Sequence, residues 1–251
     1  MARYKSILAY DGTEFAGFQR QKEAPTVQGE VEEALRRCGW AGQSIWAAGR
    51  TDAGVHAEGQ VIAFDLDWSH SVSDLLNAVN ANLPVSISVR HVEQVSERFH
   101  PRHDAAARSY RYVVIEDAVR QPLRERYAWR VWPPLDLRPA EEAAAGLFGR
   151  HDFAAFGSPH QPGGSTERIV HAVEFSRHER GVHIDVTANA FLYHMVRRIV
   201  FILVQIGQGT HNPDIIGQLL VSGDANLITG LAPAAGLCLR EVIYTEDALE
   251  N

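Results

Sequence analysis

Apolar and polar positions change period along this chain, and the changes mark out its elements. Residues 3–10 alternate as a half-buried strand, and a turn-like segment with Gly12 and Gly17 follows. Pro25-Thr26 opens a predicted helix to about Cys38, with Val27, Val31, Leu35 and Cys38 on one face. Residues 44–48 and 59–65 read as strands around the polar loop Gly49-Arg50-Thr51-Asp52-Ala53-Gly54. Ser73 is placed to cap a helix that ends before Pro84, and residues 86–95 and 107–115 are strand-like. Pro133-Pro134 breaks the pattern, and residues 140–148 have a helical stripe. The Gly-, Pro- and Ser-rich run 157–166 predicts a flexible loop. Residues 170–177 and 182–189 predict a hairpin, 191–206 a helix and 236–244 a last strand. Strands and helices thus alternate twice, before and after about residue 105, which predicts an α+β protein with two similar-sized lobes, 1–104 and 105–251.

Composition narrows the class. The 251 residues are 45% hydrophobic and 22% charged, which excludes wholesale disorder. The longest near-continuous apolar run, Ile199 to Ile206, falls far short of the roughly 20 residues of a membrane span. The stretch from Met1 to Ile7 has no apolar leader core, so a cytoplasmic protein is expected. Cys38 and Cys238 are too few for a disulfide framework or a Cys-rich zinc site. His178 and His183 are five apart across Gly181, the wrong spacing for a helical zinc pair. No Gly-rich phosphate loop and no Gly-x-Ser-x-Gly elbow occurs.

The net charge of −7 argues at first against a nucleic-acid partner. Its distribution changes that picture. Only Lys5 and Lys22 are Lys, so Arg supplies nearly all the positive charge, and Arg binds phosphate bidentately and stacks on bases. Residues 98–130 hold eight Arg and four acids, a +4 segment on a body of −11. Acidic stretches such as Glu30-Val31-Glu32-Glu33, and the tail with Glu246, Asp247 and Glu250, are expected to lie away from any anionic ligand.

Three segments carry candidate chemistry. In the loop 49–54, an Asp beside an Arg stays ionised and can act as nucleophile or base, although a plain Asx-turn remains open. In Arg108-Ser109-Tyr110-Arg111-Tyr112, residues 108, 110 and 112 share one strand face. That pattern fits either a half-buried aromatic strand or a Tyr that stacks on a base. In the helix after Phe191, Arg197 sits at the edge of the stripe Val196, Ile199, Val200 and Leu203. There it is either solvated or held to pair with a carboxylate.

Taken together, these segments resemble the tRNA pseudouridine synthase A family. Gly49-Arg50-Thr51-Asp52-Ala53-Gly54-Val55-His56-Ala57 is similar to its signature loop. Tyr10-Asp11-Gly12-Thr13 with Gly17-Phe18-Gln19-Arg20-Gln21 looks like its opening, and Thr26-Val27-Gln28-Gly29 like its first helix start. Arg108 to Tyr112, Gly149 to Phe156, Asn189 to Arg197 and Ala232 to Leu237 resemble later blocks, in the family's order. Phe18 stands where Trp is common, Ser109 where a basic residue is frequent, and Phe201 where a small residue is usual. Pro101, His103 and Asp104 alter the approach to the Tyr strand.

The resemblance implies two ferredoxin-like lobes sharing a mixed, largely antiparallel sheet, with the active-site cleft between them. It implies isomerisation of uridine to pseudouridine at positions 38 to 40 of the tRNA anticodon arm by a homodimer, without cofactor or metal. By the same resemblance Asp52 is the catalytic aspartate and Arg50 holds the flipped-out position. Tyr110 lies on the uracil ring, Arg197 pairs with the aspartate, and Leu237 is an apolar wall. A non-catalytic RNA-binding protein on the same scaffold is the alternative, and an N-glycosidase releasing free uracil is a third reading.

Overall fold

A computed structural model describes residues 1–245, so the tail acids Glu246, Asp247 and Glu250 lie outside the described residues. The chain is mixed α+β, with strands that pair mostly antiparallel. It forms two compact units: residues 1–107 with the segment from Cys238 onward, and residues 108–237.

The first unit contains β1 (Ala2–Tyr10), α1 (Val27–Arg37), β2 (Trp46–Ala47), β3 (His56–Leu66), α2 (Val72–Asn80) and β4 (Ile87–Val95). β1 lies between β4 and β3, antiparallel to both, and β2 adds to the far half of β3. This βαββαβ order with β1 central is the ferredoxin-like arrangement. Alternation in β1 puts Tyr4, Leu8 and Tyr10 in the core. Lys5 is buried on the opposite face, its ammonium 2.8 Å from Glu93. Thr26 caps α1, its hydroxyl accepting from the Gly29 N–H at 3.3 Å. The α1 face buries Val27, Val31, Ala34 and Leu35, and with them the carboxylate of Glu32. The acidic run 30–33 is therefore not one solvated face: Glu32 points inward to Arg20 and Arg36. The α2 cap is Ser71, not the expected Ser73. Asp74, three residues on, closes a reciprocal capping box with Ser71 that Ser73 has no partner to make.

The second unit takes most of β5 (Ala105–Glu116), then β6 (Trp129–Val131), α3 (Leu137–Ala145), β7 (Gly149–Asp152), β8 (Glu167–His178), β9 (Gly181–Ala188), α4 (Met195–Gly207) and α5 (Ile215–Ser222). The order β5-β9-β8-β7 is antiparallel throughout, and β6 pairs parallel with β5. Phe153, Phe156, Met195, Ile199, Leu203 and Leu219 sit in one core cluster. α3 starts three residues before its expected position because Asp136 caps it, accepting from the Arg138 N–H at 3.1 Å. α4 starts at Met195 rather than Phe191. His194 is left-handed (φ +67°), and the Tyr193 N–H donates to the Ser158 carbonyl at 2.9 Å, which spends residues 191–194 on a loop. Phe201 stacks on Trp129, ring centroids 6.2 Å apart, and fills the space beside Gly230, where a Cβ would lie 2.2 Å from the Phe201 ring. A small residue in place of Phe201 would leave that space empty.

The last strand, β10 (Leu237–Tyr244), pairs parallel with the start of β3, Cys238 opposite His56 and Leu239 opposite Ala57. Among the described residues no helix is long and apolar enough to cross a membrane.

Candidate active site

Asp52 stands in the loop between β2 and β3, half-buried, with Arg50 exposed beside it. The residues on either side are fixed to the backbone of a second loop, residues 12–24. The Phe18 N–H donates to the Thr51 carbonyl at 3.0 Å, and the Gly54 N–H donates to the Phe15 carbonyl at 3.3 Å. Gly17 (φ +100°) passes so close that a Cβ there would lie 2.9 Å from the Thr51 oxygen. Gly12 is closer still, its notional Cβ 2.0 Å from the Val55 oxygen. From below, the buried Thr51 hydroxyl pairs with the Tyr10 hydroxyl at 2.9 Å. Burial pushes the Tyr10 phenol far above its ordinary pKa, so it stays neutral and bonded. Gln60, fully buried, donates to the Gly49 carbonyl at 3.1 Å, and His56 Nδ1 accepts the Gly12 N–H at 3.1 Å. The loop is thus pinned on both flanks of Asp52, which suits a carboxylate that must be preorganised.

Tyr110, Arg197 and Leu237 belong to the other unit. Tyr110 is buried on the face it shares with Arg108 and Tyr112, and its ring meets Phe191 edge-on at 5.2 Å. The Arg108 guanidinium donates to the Asn189 carbonyl at 2.9 Å. Tyr112 is fully buried, and its hydroxyl donates to the Pro233 carbonyl at 2.7 Å. Burial raises its pKa strongly, against the opposing charge of Arg197. Arg197 is half-buried, and its Nε donates to the Ala232 carbonyl at 2.8 Å. Segment 232–237 therefore ties the tyrosine strand to the arginine helix and leads into the buried Leu237. Gly236 is required for that approach, since a Cβ there would lie 2.6 Å from the Tyr112 ring.

Sequence reasoning assigned no role to Tyr10, Thr51, Phe18, Tyr112 or Ala232. Their signal was present only as membership in the motif blocks, because their work is to hold neighbours.

Several arginines of the basic segment are already engaged within the protein. Arg111 forks onto Asp185 at 2.8 Å through both nitrogens, Arg120 and Arg130 lie 3.5 and 3.4 Å from Glu125, and Arg108 is buried. Arg98, Arg102, Arg124 and Arg126 are exposed. Among the described residues no group of three or more His, Cys, Asp or Glu is placed to hold a metal ion.

The sequence profile of a family described as "tRNA pseudouridine synthase" matches residues 7–104 and 143–245. A tRNA pseudouridine synthase A of Brevibacillus brevis is 41% identical over 97% of this chain and 100% of its own length. One from Syntrophotalea carbinolica is 39% identical over the whole of both chains. One from Moorella thermoacetica is 42% identical over 96% of this chain and 98% of its own length.

Proposed function

Because the chain belongs to the tRNA pseudouridine synthase family, we propose that it isomerises uridine to pseudouridine in the anticodon arm of tRNA, at positions 38 to 40, as a cytoplasmic homodimer. The observation that carries this reading is the loop around Asp52: a partly exposed carboxylate with Thr51 before it and Gly54 after it held by backbone hydrogen bonds to residues 18 and 15.

The reaction breaks the C1′–N1 bond, turns the uracil, joins C5 to C1′ and releases the C5 proton. A uridine in a stem must first leave the stack, at a cost of a few kcal/mol. In this proposal Arg50, exposed at the loop tip, fills the vacated space and meets the backbone. Asp52 supplies the carboxylate as nucleophile or base, and Arg197 is the cation that pairs with it. Tyr110 orients the uracil ring or takes the C5 proton, and Leu237 supplies an apolar wall. Water must be kept from the detached uracil, or the enzyme becomes a glycosidase. The exposed arginines 98, 102, 124 and 126 meet phosphates.

The test is tritium release from tRNA labelled at uridine C5. The wild-type protein is expected to release it, and Asp52→Asn to be slower by roughly 10³-fold or more. Release at the wild-type rate by Asp52→Asn would remove Asp52 from the chemistry. Free uracil in the supernatant would replace the isomerase with a glycosidase.

A further inference from the structure

We propose that Glu32, in helix α1, is a positioning residue for Asp52. It acts through Arg20 and the loop that holds the catalytic segment. The inference rests on the reading of Asp52 as the catalytic carboxylate.

The Glu32 side chain is wholly buried, yet it is ionic and fully occupied. One oxygen accepts from Gln28 Nε2 at 2.8 Å and from the Ile45 N–H at 3.2 Å. The other takes a hydrogen bond from the Arg20 guanidinium and lies 3.6 Å from that of Arg36. Arg20 also donates to the Gln43 carbonyl at 3.2 Å, and its own N–H donates to Gln28 Oε1 at 3.0 Å. One carboxylate therefore gathers three stretches of chain: the end of the 12–24 loop, the first turns of α1, and residues 43–45 that lead into β2.

Those stretches converge on Asp52. The Gln28 N–H donates to the Phe18 carbonyl at 2.9 Å, and the Val27 N–H to the Gly17 carbonyl at 3.3 Å. Phe18 then holds the Thr51 carbonyl, and Gly17 lies against it. Residues 43–45 set the path by which β2 delivers the chain to Gly49. Glu32 thus stands two residues from the backbone atoms that fix Thr51, by way of Arg20.

A buried ion pair is a costly way to fill a core site. Well-packed apolar residues of the same volume are often as stable or more so. What the charge adds is direction, since a carboxylate accepting from three donors, one in each stretch, permits one arrangement of the three. A positioning role accounts for an acid at this place; stability alone does not.

The experiment measures steady-state tritium release and tRNA binding for Glu32→Gln, Arg20→Gln and the double variant, with Glu33→Gln as control. Arg20 is about half exposed and Glu33 is at the surface, so Arg20→Gln keeps the test valid if Glu32→Gln folds poorly. Each of Glu32→Gln and Arg20→Gln is expected to lower kcat by roughly 10- to 100-fold, the scale of a sub-ångström misplacement. tRNA affinity should stay within about threefold. The double variant should be no worse than the poorer single one, because both remove the same link. Glu33→Gln should turn over normally. Normal kcat in Arg20→Gln, or multiplied losses in the double variant, would overturn the proposal. Wild-type and Asp52→Asn proteins are measured alongside. An inactive wild type, or an active Asp52→Asn, would mean that the reading of the reaction had failed instead.

Discussion

Gly17→Ala separates two contributions of a glycine that other substitutions mix. Gly17 and Gly39 both have strongly positive φ, +100° and +91°. An L side chain in that region costs about 1–2 kcal/mol at either position. Gly39, just past the end of α1, has nothing within 4 Å of its notional Cβ, so its alanine variant carries the backbone cost alone. At Gly17 the added methyl lies 2.9 Å from the Thr51 oxygen, 3.3 Å from the Ala53 nitrogen and 3.4 Å from the Asp52 carbonyl carbon. Ordinary contact begins at 3.4 Å, so the Thr51 carbonyl must retreat by about 0.5 Å. These neighbours are backbone, and the retreat moves Asp52 itself. If a 1 Å misplacement costs about 10²-fold in rate, half of it costs about tenfold. Both variants should therefore melt lower by about 2–8 °C, at roughly 2–4 °C per kcal/mol for a chain of this size. Only Gly17→Ala should lose about tenfold in kcat. Thermal unfolding followed by circular dichroism and tritium release at saturating tRNA read the two effects separately. Equal turnover in the two variants would refute the claim that the 12–24 loop sets the position of Asp52.

Two further outcomes are expected. Tyr10 and Tyr112 have folded-state pKa values raised by burial above the ordinary value of 10.0. Above about pH 10 the unfolded chain loses these protons first and binds fewer than the native one, so stability falls as pH rises. The two phenols should contribute up to about 2.7 kcal/mol per pH unit there, and nothing below about pH 9. Urea midpoints between pH 8 and 11 check this; Tyr10→Phe and Tyr112→Phe should each halve that share of the slope, and unchanged slopes would contradict it. tRNA affinity should fall steeply with salt. Arg124→Gln and Arg126→Gln should each reduce the log–log slope by about 1, whereas Arg111→Gln, whose charge is already met by Asp185, should leave it nearly unchanged. Equal slope changes in all three would refute the sorting by exposure.

Local pattern carried the first strand, α1 and the 167–188 hairpin, because alternation and helical period are local properties. It misplaced the start of α4, since Phe191 to His194 continue the apolar stripe while a left-handed His194 and a bridge to Ser158 divert the backbone. It had no signal for the parallel pairing of β10 with β3, which joins residues far apart in sequence. Glu32 was unreadable for a different reason. An acid among acids on an amphipathic helix looks solvated, and only its distant partners Arg20 and Ile45 show that it is not. The candidate site was legible as motif: Arg50, Asp52, Tyr110, Arg197 and Leu237 were named by resemblance, and their surroundings in the structure supply the physical supports, Thr51 on Phe18 and Arg197 on Ala232. The +4 count of the basic segment carried no information on which arginines are engaged, and at least four of the eight are buried or paired with acids.

The central claim is that this chain turns uridine into pseudouridine in the tRNA anticodon arm with the Asp52 carboxylate. Mapping of pseudouridine in unmodified tRNA after incubation with purified protein tests it most directly. The account predicts pseudouridine at one or more of positions 38 to 40 with the wild-type protein, and none with Asp52→Asn. Unaltered uridine at all three positions with the wild-type protein, or pseudouridine formed equally well by Asp52→Asn, would contradict it.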